Sequence, residues 1–341
     1  MAEIIDFKKA LELSEGGHRH LMLGNGFSRA CRNDLFAYDA LFQQAEGQLS
    51  DRVKRAFEIL NTHDFETIMR ILNSSAEVLP VYTNDASLIA LLKEDVDALR
   101  DALAKAIAGS HPARPGDINA SEFAACRSFL SNFSNIYTLN YDLLLYWALM
   151  QDKVDSLKVE CDDGFRHPED GEHDYVVWDA ADSTTQNIFY IHGALHIFDA
   201  GAELQKYTWS NTGIALVDQI RESLANNRYP IYVSEGTSEE KMQRIMHSAY
   251  LSRALRSMIQ VTGSLFVYGH SLADNDQHIL RLIERGKVTK LFVSLYGNPD
   301  SRENKWIIKR ANNMANERSL TGSKKQLAVY FYDAKSAKVW E

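Results

Sequence analysis

Cysteine is scarce in this sequence: Cys31, Cys126 and Cys161 are its three, far apart and in no CxxC pair. That spacing excludes a disulfide framework and a four-cysteine zinc module. No segment reaches the roughly 18 to 20 apolar residues a helix needs to cross a bilayer. The opening stretch, MAEIIDFKKALELSEGG, carries charges where a signal peptide needs an apolar centre. A cytoplasmic location is therefore expected. A surplus of positive charge is missing as well: 37 Lys and Arg face 46 Asp and Glu, for a net charge of −9. Such a chain is not expected to coat a phosphate backbone, so neither nucleic acid nor membrane is an expected partner.

What is present reads as globular. The 341 residues are 45% hydrophobic and 24% charged, and we read 1–341 as one domain. Short apolar runs flanked by polar or turn residues read as buried strands: HLMLG (20–24), NIYTL (135–139), NIFYI (187–191), SLFVYG (264–269), KLFVSLY (290–296) and LAVYFY (327–332). Helical patterns lie between them. In KEDVDALRDALAKAIAG, Val96, Leu99, Leu103 and Ala106 form one stripe and Gly109 supplies a stop; in SEEKMQRIMHSAYLSRALRSM, Ser238 is the expected N-cap. Buried-type strands alternating with helices predict an α/β fold with a Rossmann-like, doubly wound, mainly parallel sheet. The stretch between the first two strands is longer than one crossover helix needs, so a large helical insertion is expected over 45–128. The polar segment 160–186 reads as a surface excursion. There is no internal repeat and no low-complexity tract.

Four strand ends carry polar, glycine-bearing motifs. Gly24-Asn25-Gly26-Phe27-Ser28 follows the first strand, where a doubly wound sheet places a ligand phosphate. It lacks the P-loop ending and the full dinucleotide fingerprint, so two glycines in a tight turn explain it equally well. Thr138-Leu139-Asn140-Tyr141-Asp142 closes the next strand; helix capping by Thr138 or Asn140, with Asp142 at the positive helix end, is the plainer reading. His192-Gly193 offers an imidazole able to orient or deprotonate a hydroxyl, although a lone histidine is usually a packing residue. Tyr268-Gly269-His270-Ser271-Leu272-Ala273-Asp274-Asn275-Asp276 suits a bound ribose or adenine, or an ordinary strand-to-helix turn. Taken together, the four describe one crevice. His18, His20, His167 and His173 lack a supporting ligand set, and no metal is expected.

The order and content of these motifs, GxGxS, TxNxD, HG and GxSxxD, resemble the sirtuin-like superfamily, in particular its bacterial branch of NAD-consuming defence proteins without a deacetylase zinc ribbon. A likeness to a further bacterial subgroup is carried by Asp163-Gly164-Phe165, by Pro230-Ile231-Tyr232-Val233-Ser234-Glu235-Gly236 with Lys241, and by Tyr332-Asp333-Ala334. The resemblance implies that NAD is the substrate, with its pyrophosphate in the first glycine loop. It implies that Asn140 and Asp142 hold the nicotinamide end and that His192 contacts the ribose hydroxyls as general base. The implied cofactor-binding set is Gly24, Asn25, Gly26, Phe27, Ser28, Thr138, Gly193, Gly269, His270, Ser271 and Asp274. Two departures stand out: Asn25 occupies the middle of a loop that commonly reads Gly-Ala-Gly-x-Ser, and the arginine of deacetylating sirtuins is not evident in RACRNDLF.

The missing cysteine quartet argues against protein deacetylation and leaves NAD hydrolysis to nicotinamide and ADP-ribose as the expected reaction, regulated and used in anti-phage defence. A non-catalytic NAD or ADP-ribose sensor and an ADP-ribosyltransferase are the alternatives. Self-association and a defence-system partner protein are expected by the same resemblance.

Overall fold

All six apolar runs become parallel strands of one sheet. The computed structural model describes residues 3–341 except 170, 172, 182–183, 209–214, 227, 234–236 and 321–324; Ser234, Glu235 and Gly236 of the subgroup likeness lie outside the described residues. In chain order the strands are β1 (Ile4–Ile5), β2 (Arg19–Leu23), β3 (Asn135–Thr138), β4 (Phe165–Arg166), β5 (Tyr175–Trp178) and β6 (Ile188–Tyr190). There follow β7 (Gly193–Asp199), β8 (Leu204–Tyr207), β9 (Pro230–Tyr232), β10 (Thr262–Tyr268), β11 (Lys287–Leu295) and β12 (Ala328–Asp333). The central sheet has seven strands in the order β1-β12-β11-β10-β2-β3-β6, every pair parallel. From β2 the chain builds outward through β3 and β6, then returns to the other side of β2 for β10, β11 and β12. That reversal makes the fold Rossmann-like, with the switch point between β2 and β10.

The helices explain why these strands are apolar throughout. They are α1 (Phe7–Leu13), α2 (Gly26–Cys31), α3 (Asn33–Phe36), α4 (Tyr38–Ala45), α5 (Asp51–Leu60), α6 (Phe65–Val78) and α7 (Ala86–Ser110). Beyond these come α8 (Ala120–Leu130), α9 (Leu144–Met150), α10 (Leu216–Ala225), α11 (Ser238–His247), α12 (Ala249–Gln260), α13 (Gln277–Arg285) and α14 (Arg302–Leu320). Helices cover the sheet, so both faces of a strand such as β10 must be hydrophobic. Within it, Phe266, Phe292 and Tyr330 stand in register on adjacent strands and stack, with ring centroids 4.5 and 4.9 Å apart. Two buried arginines close helix ends. Arg127 donates to the Ala148 and Leu149 carbonyls in the last turn of α9 and to that of Leu157 beyond it, and Arg318 to those of Ile283 and Glu284 in the last turn of α13 and of Val288 beyond it.

Helices α2 to α8 all lie between β2 and β3. The expected stripe on α7 is buried at Val96, Leu99, Leu103 and Ala106. The helix starts further upstream than that stripe, at Ala86, because the Asp85 carboxylate accepts from the Ser87 and Leu88 amides. Downstream, the second helical pattern is two helices. Thr237, not Ser238, is the N-cap of α11, in a reciprocal pair with Glu240, and Ser248 breaks the run and caps α12.

The polar segment 160–186 is more than a surface excursion. It supplies β4 and β5 to a second, antiparallel sheet of order β4-β5-β8-β7-β9. Two of its acidic residues have partners within the fold: Asp162 accepts from both terminal nitrogens of Arg166, and Asp163 pairs with Lys206 of β8. Phe165 and Val176 are then free to bury. Only Ile191 and His192 separate β6 of the first sheet from β7 of the second. Gly193 makes that junction with φ +76°; a Cβ there would fall 2.0 Å from the Ile231 carbonyl oxygen of β9. No helix among the described residues is long and apolar enough to cross a membrane.

Candidate functional site

The carboxyl ends of β2, β3, β10, β11 and β12 open onto one cavity of about 1130 Å³. It lies at the switch point, where open α/β sheets place ligands, and is large even against the roughly 300–1,000 Å³ usual for ligand sites. Phe36, Leu41, Phe65, Leu103, Ile107 and Leu139 give it an apolar side beneath the α3–α7 helices. The other side is polar, with Ser294, Asn298, Asn304, Lys335 and Lys338.

The loops after β2 and β10 are packed backbone to backbone. Gly24 N–H donates to the Tyr268 carbonyl (3.0 Å) and Gly26 N–H to that of Gly269 (2.8 Å), while Gly269 N–H reaches Ser294 Oγ (3.0 Å). A Cβ on Gly26 would lie 2.5 Å from Gly269 Cα, and Gly269 itself has φ +70°. Both glycines are required for this contact. The amides of Gly24, Gly26 and Phe27 therefore serve loop-to-loop and local bonds, the last to the Gly24 carbonyl.

A buried network joins β2 to β3. Ser28 Oγ donates to Asp142 Oδ2, and Asn140 Nδ2 donates to Ser28 Oγ (3.0 Å) and to the Gly24 carbonyl (3.0 Å). With both amide hydrogens engaged, Asn140 has its Oδ1 left for the cavity it lines. Asp142 also accepts from the Leu144 amide (2.9 Å) at the start of α9, and burial pushes its carboxyl above the usual range.

A second network surrounds His192. Its Nε2 lies 3.1 Å from Nε2 of His278 on α13 and 3.9 Å from Asp276 Oδ1. Asp276 receives His270 Nε2 at 3.0 Å and the Lys241 ammonium of α11 at 3.2 Å. Since His270 Nδ1 accepts from the Leu272 amide, its Nε2 carries the hydrogen. Burial alone would raise Asp276; Lys241 and His270 instead hold its carboxylate well below the usual range. Burial keeps His192 far below an ordinary histidine, hence neutral at pH 7.

Of the expected site residues, Gly24, Asn25, Gly26, Asn140, Asp142, His192, Gly269, His270 and Ser271 line this cavity. Five do not. Phe27 is a core residue against the Trp340 ring (5.2 Å), because an aromatic just inside α2 turns to the sheet rather than the crevice. Ser28 and Thr138 are buried and act through the chain, Ser28 on Asp142 and Thr138 Oγ1 on the Asn140 amide (3.0 Å). Gly193 packs on β9 rather than on a ligand. Asp274 is exposed and pairs with Arg310 (3.3 Å); Asp276, two residues on, is the acid that faces inward. Asp276, Lys241 and His278 were not among the expected site residues. Lys241 and Asp276 stand in quoted motifs, whereas His278 had no signal beyond its place just after the fourth.

A comparison with curated proteins finds no match. The model of one family, described as Domain of unknown function (DUF4917), matches residues 21–340. That span runs from within β2 to the buried Trp340 and takes in every residue that lines the cavity except Glu341, so the chain belongs to the DUF4917 family.

Proposed function

We propose that the protein is an NAD glycohydrolase of sirtuin-like type, cleaving the nicotinamide–ribose bond with water. One observation carries the reading: loops from β2, β3, β6 and β10 bring an amide oxygen, a buried carboxyl and a neutral imidazole to one switch-point cavity of about 1130 Å³. Departure of nicotinamide leaves an electron-poor ribose carbon of oxocarbenium character, for which no strong nucleophile is needed. Asn140 Oδ1 and the Asp142 carboxyl offer negative charge to that carbon, held in place by Ser28 and Gly24 before any substrate arrives. His192, neutral at pH 7, takes the proton of the attacking water. The water oxygen bonds to the ribose carbon, the carbon–nitrogen bond breaks, nicotinamide leaves with that electron pair, and the proton passes to solvent.

The apolar wall under α3–α7 suits the nicotinamide ring, and the lysines of the polar wall suit phosphate. A cytoplasmic location, self-association and a defence-system partner that triggers the enzyme belong to the same reading. The test is nicotinamide release from NAD by the wild type and by folded Asn140→Ala and His192→Ala variants. Loss in both supports it. Tight NAD or ADP-ribose binding by a wild type that leaves the ligand intact replaces it with a sensor, and label left on a macromolecular acceptor with a transferase.

A further inference from the structure

The two imidazoles of His192 and His278 are nearly parallel, 21° apart, with Nε2 atoms 3.1 Å from one another. One hydrogen fits between those nitrogens, so for two neutral rings one donates and the other accepts. Burial keeps both neutral at pH 7, lowering His192 strongly and His278 to about 4. His278 Nδ1 lies 3.3 Å from Ser238 Oγ, the first residue of α11. With its hydrogen on Nδ1 toward Ser238, His278 has a bare Nε2. His192 must then carry its own hydrogen on Nε2, which leaves its Nδ1 lone pair unprotonated. That nitrogen has no hydrogen-bond partner among the described residues, and His192 lines the cavity.

We propose that His278 is a positioning residue for His192: anchored by Ser238, it accepts the Nε2 hydrogen and holds the tautomer whose Nδ1 is free to receive a proton from the cavity. The role is that of the carboxylate in a Ser-His-Asp triad, filled here by a neutral ring. Its catalytic consequence rests on the glycohydrolase reading; the tautomer does not. In the hydrolytic step a water O–H bond breaks, its oxygen bonds to the ribose carbon as the carbon–nitrogen bond breaks and nicotinamide leaves with that electron pair, and the proton joins His192 Nδ1. The Nε2–H stays on its bond to His278 throughout, and the imidazolium later returns the proton to solvent.

The charged and titratable groups around the pair are Asp276, Lys241 and His270, with Glu239 and Arg281 along the outer groove that His278 also lines. His192, Asp276 and His278 offer ligand atoms within 4.8 Å of one another, a spacing that would also suit a metal ion. Lys241 already neutralises Asp276 at 3.2 Å, so a dication there would place two cations on one buried carboxylate.

The experiment is nitrogen-15 NMR of histidine-labelled full chain at roughly pH 6 to 8, beside nicotinamide-release kinetics. The wild type is expected to show His192 with Nε2 protonated and Nδ1 bare. In His278→Leu, which removes the acceptor, His192 becomes a mixture of tautomers and kcat falls about 100-fold while KM changes little. His278→Gln, whose carboxamide oxygen can accept, recovers most of the rate. A wild-type His192 protonated on Nδ1, or a His278→Leu variant with an unchanged tautomer, overturns the assignment. So does stoichiometric zinc that survives dialysis and shifts both rings. If the wild type releases no nicotinamide, the proposed activity fails while the tautomer still decides this inference.

Discussion

Two polar clusters line the same cavity and are built by different rules. The Ser28–Asn140–Asp142 cluster ties together the ends of two neighbouring strands, β2 and β3, with hydrogen bonds and a single carboxyl. The His192–Asp276 cluster gathers the joint between two sheets, the loop after β10, and side chains from α11 and α13, and it contains a buried ion pair. The first cluster aims an amide. The second sets protonation states, because Lys241 and His270 keep Asp276 ionised while burial keeps His192 and His278 neutral. Orientation can come from residues two apart at a strand end, whereas tuning of charge needs groups brought in from behind.

The sharpest way to separate the clusters is to disable one residue of each. His192→Ala is expected to lower nicotinamide release by about 10²- to 10⁴-fold with NAD affinity largely kept, as steady-state kinetics with calorimetric binding will show. In the charged cluster, Asp276→Ala removes the buried carboxylate that meets both Lys241 and His270 and should cost about 3–5 kcal/mol in urea denaturation. Pairing it with Lys241→Met should return most of that loss; a double variant as unstable as the single one would mean that the ion pair is not the cause. In the strand-end cluster, Ser28→Ala removes the partner shared by Asn140 and Asp142 and should cost about 1–3 kcal/mol.

The smallest effect is one of pH. His20, His111 and His278 are each lowered to about 4, chiefly by burial. Between an unfolded value near 6.5 and about 4, the unfolded chain binds protons that the folded chain refuses. Stability should therefore fall as pH drops through that window, by up to about 1.4 kcal/mol per pH unit for each such histidine. His278→Gln should make the decline shallower, and an identical slope in the variant would remove His278 from the account.

The sequence shows much of this arrangement and hides the rest for physical reasons. The six central strands are legible because a parallel strand covered on both faces is apolar at nearly every position. Gly24, Gly26, Asn140 and Gly269 are legible because each stands where an apolar run ends. The second sheet is hidden in polar sequence, since β4 and β5 keep acids such as Asp162 and Asp163 beside them, answered by Arg166 and Lys206. Phe27 misleads because a residue inside a loop motif can still face the core. Asp274 and Asp276 look equivalent along the chain, and only the placing of Lys241 and Arg310 distinguishes the inward acid from the outward one. His278 belongs to a helix, and nothing in its neighbours announces that its ring meets another imidazole.

The joint at Ile191 and His192 has a mechanical meaning. Because Gly193 is locked against Ile231 and Tyr232, the antiparallel sheet has a two-residue grip on the imidazole. A partner, or a second copy of the chain, that tilted that sheet would pull His192 away from His278 without touching the cavity. The second sheet thus ends one residue from the imidazole that meets His278, and its position and the ring's are set together.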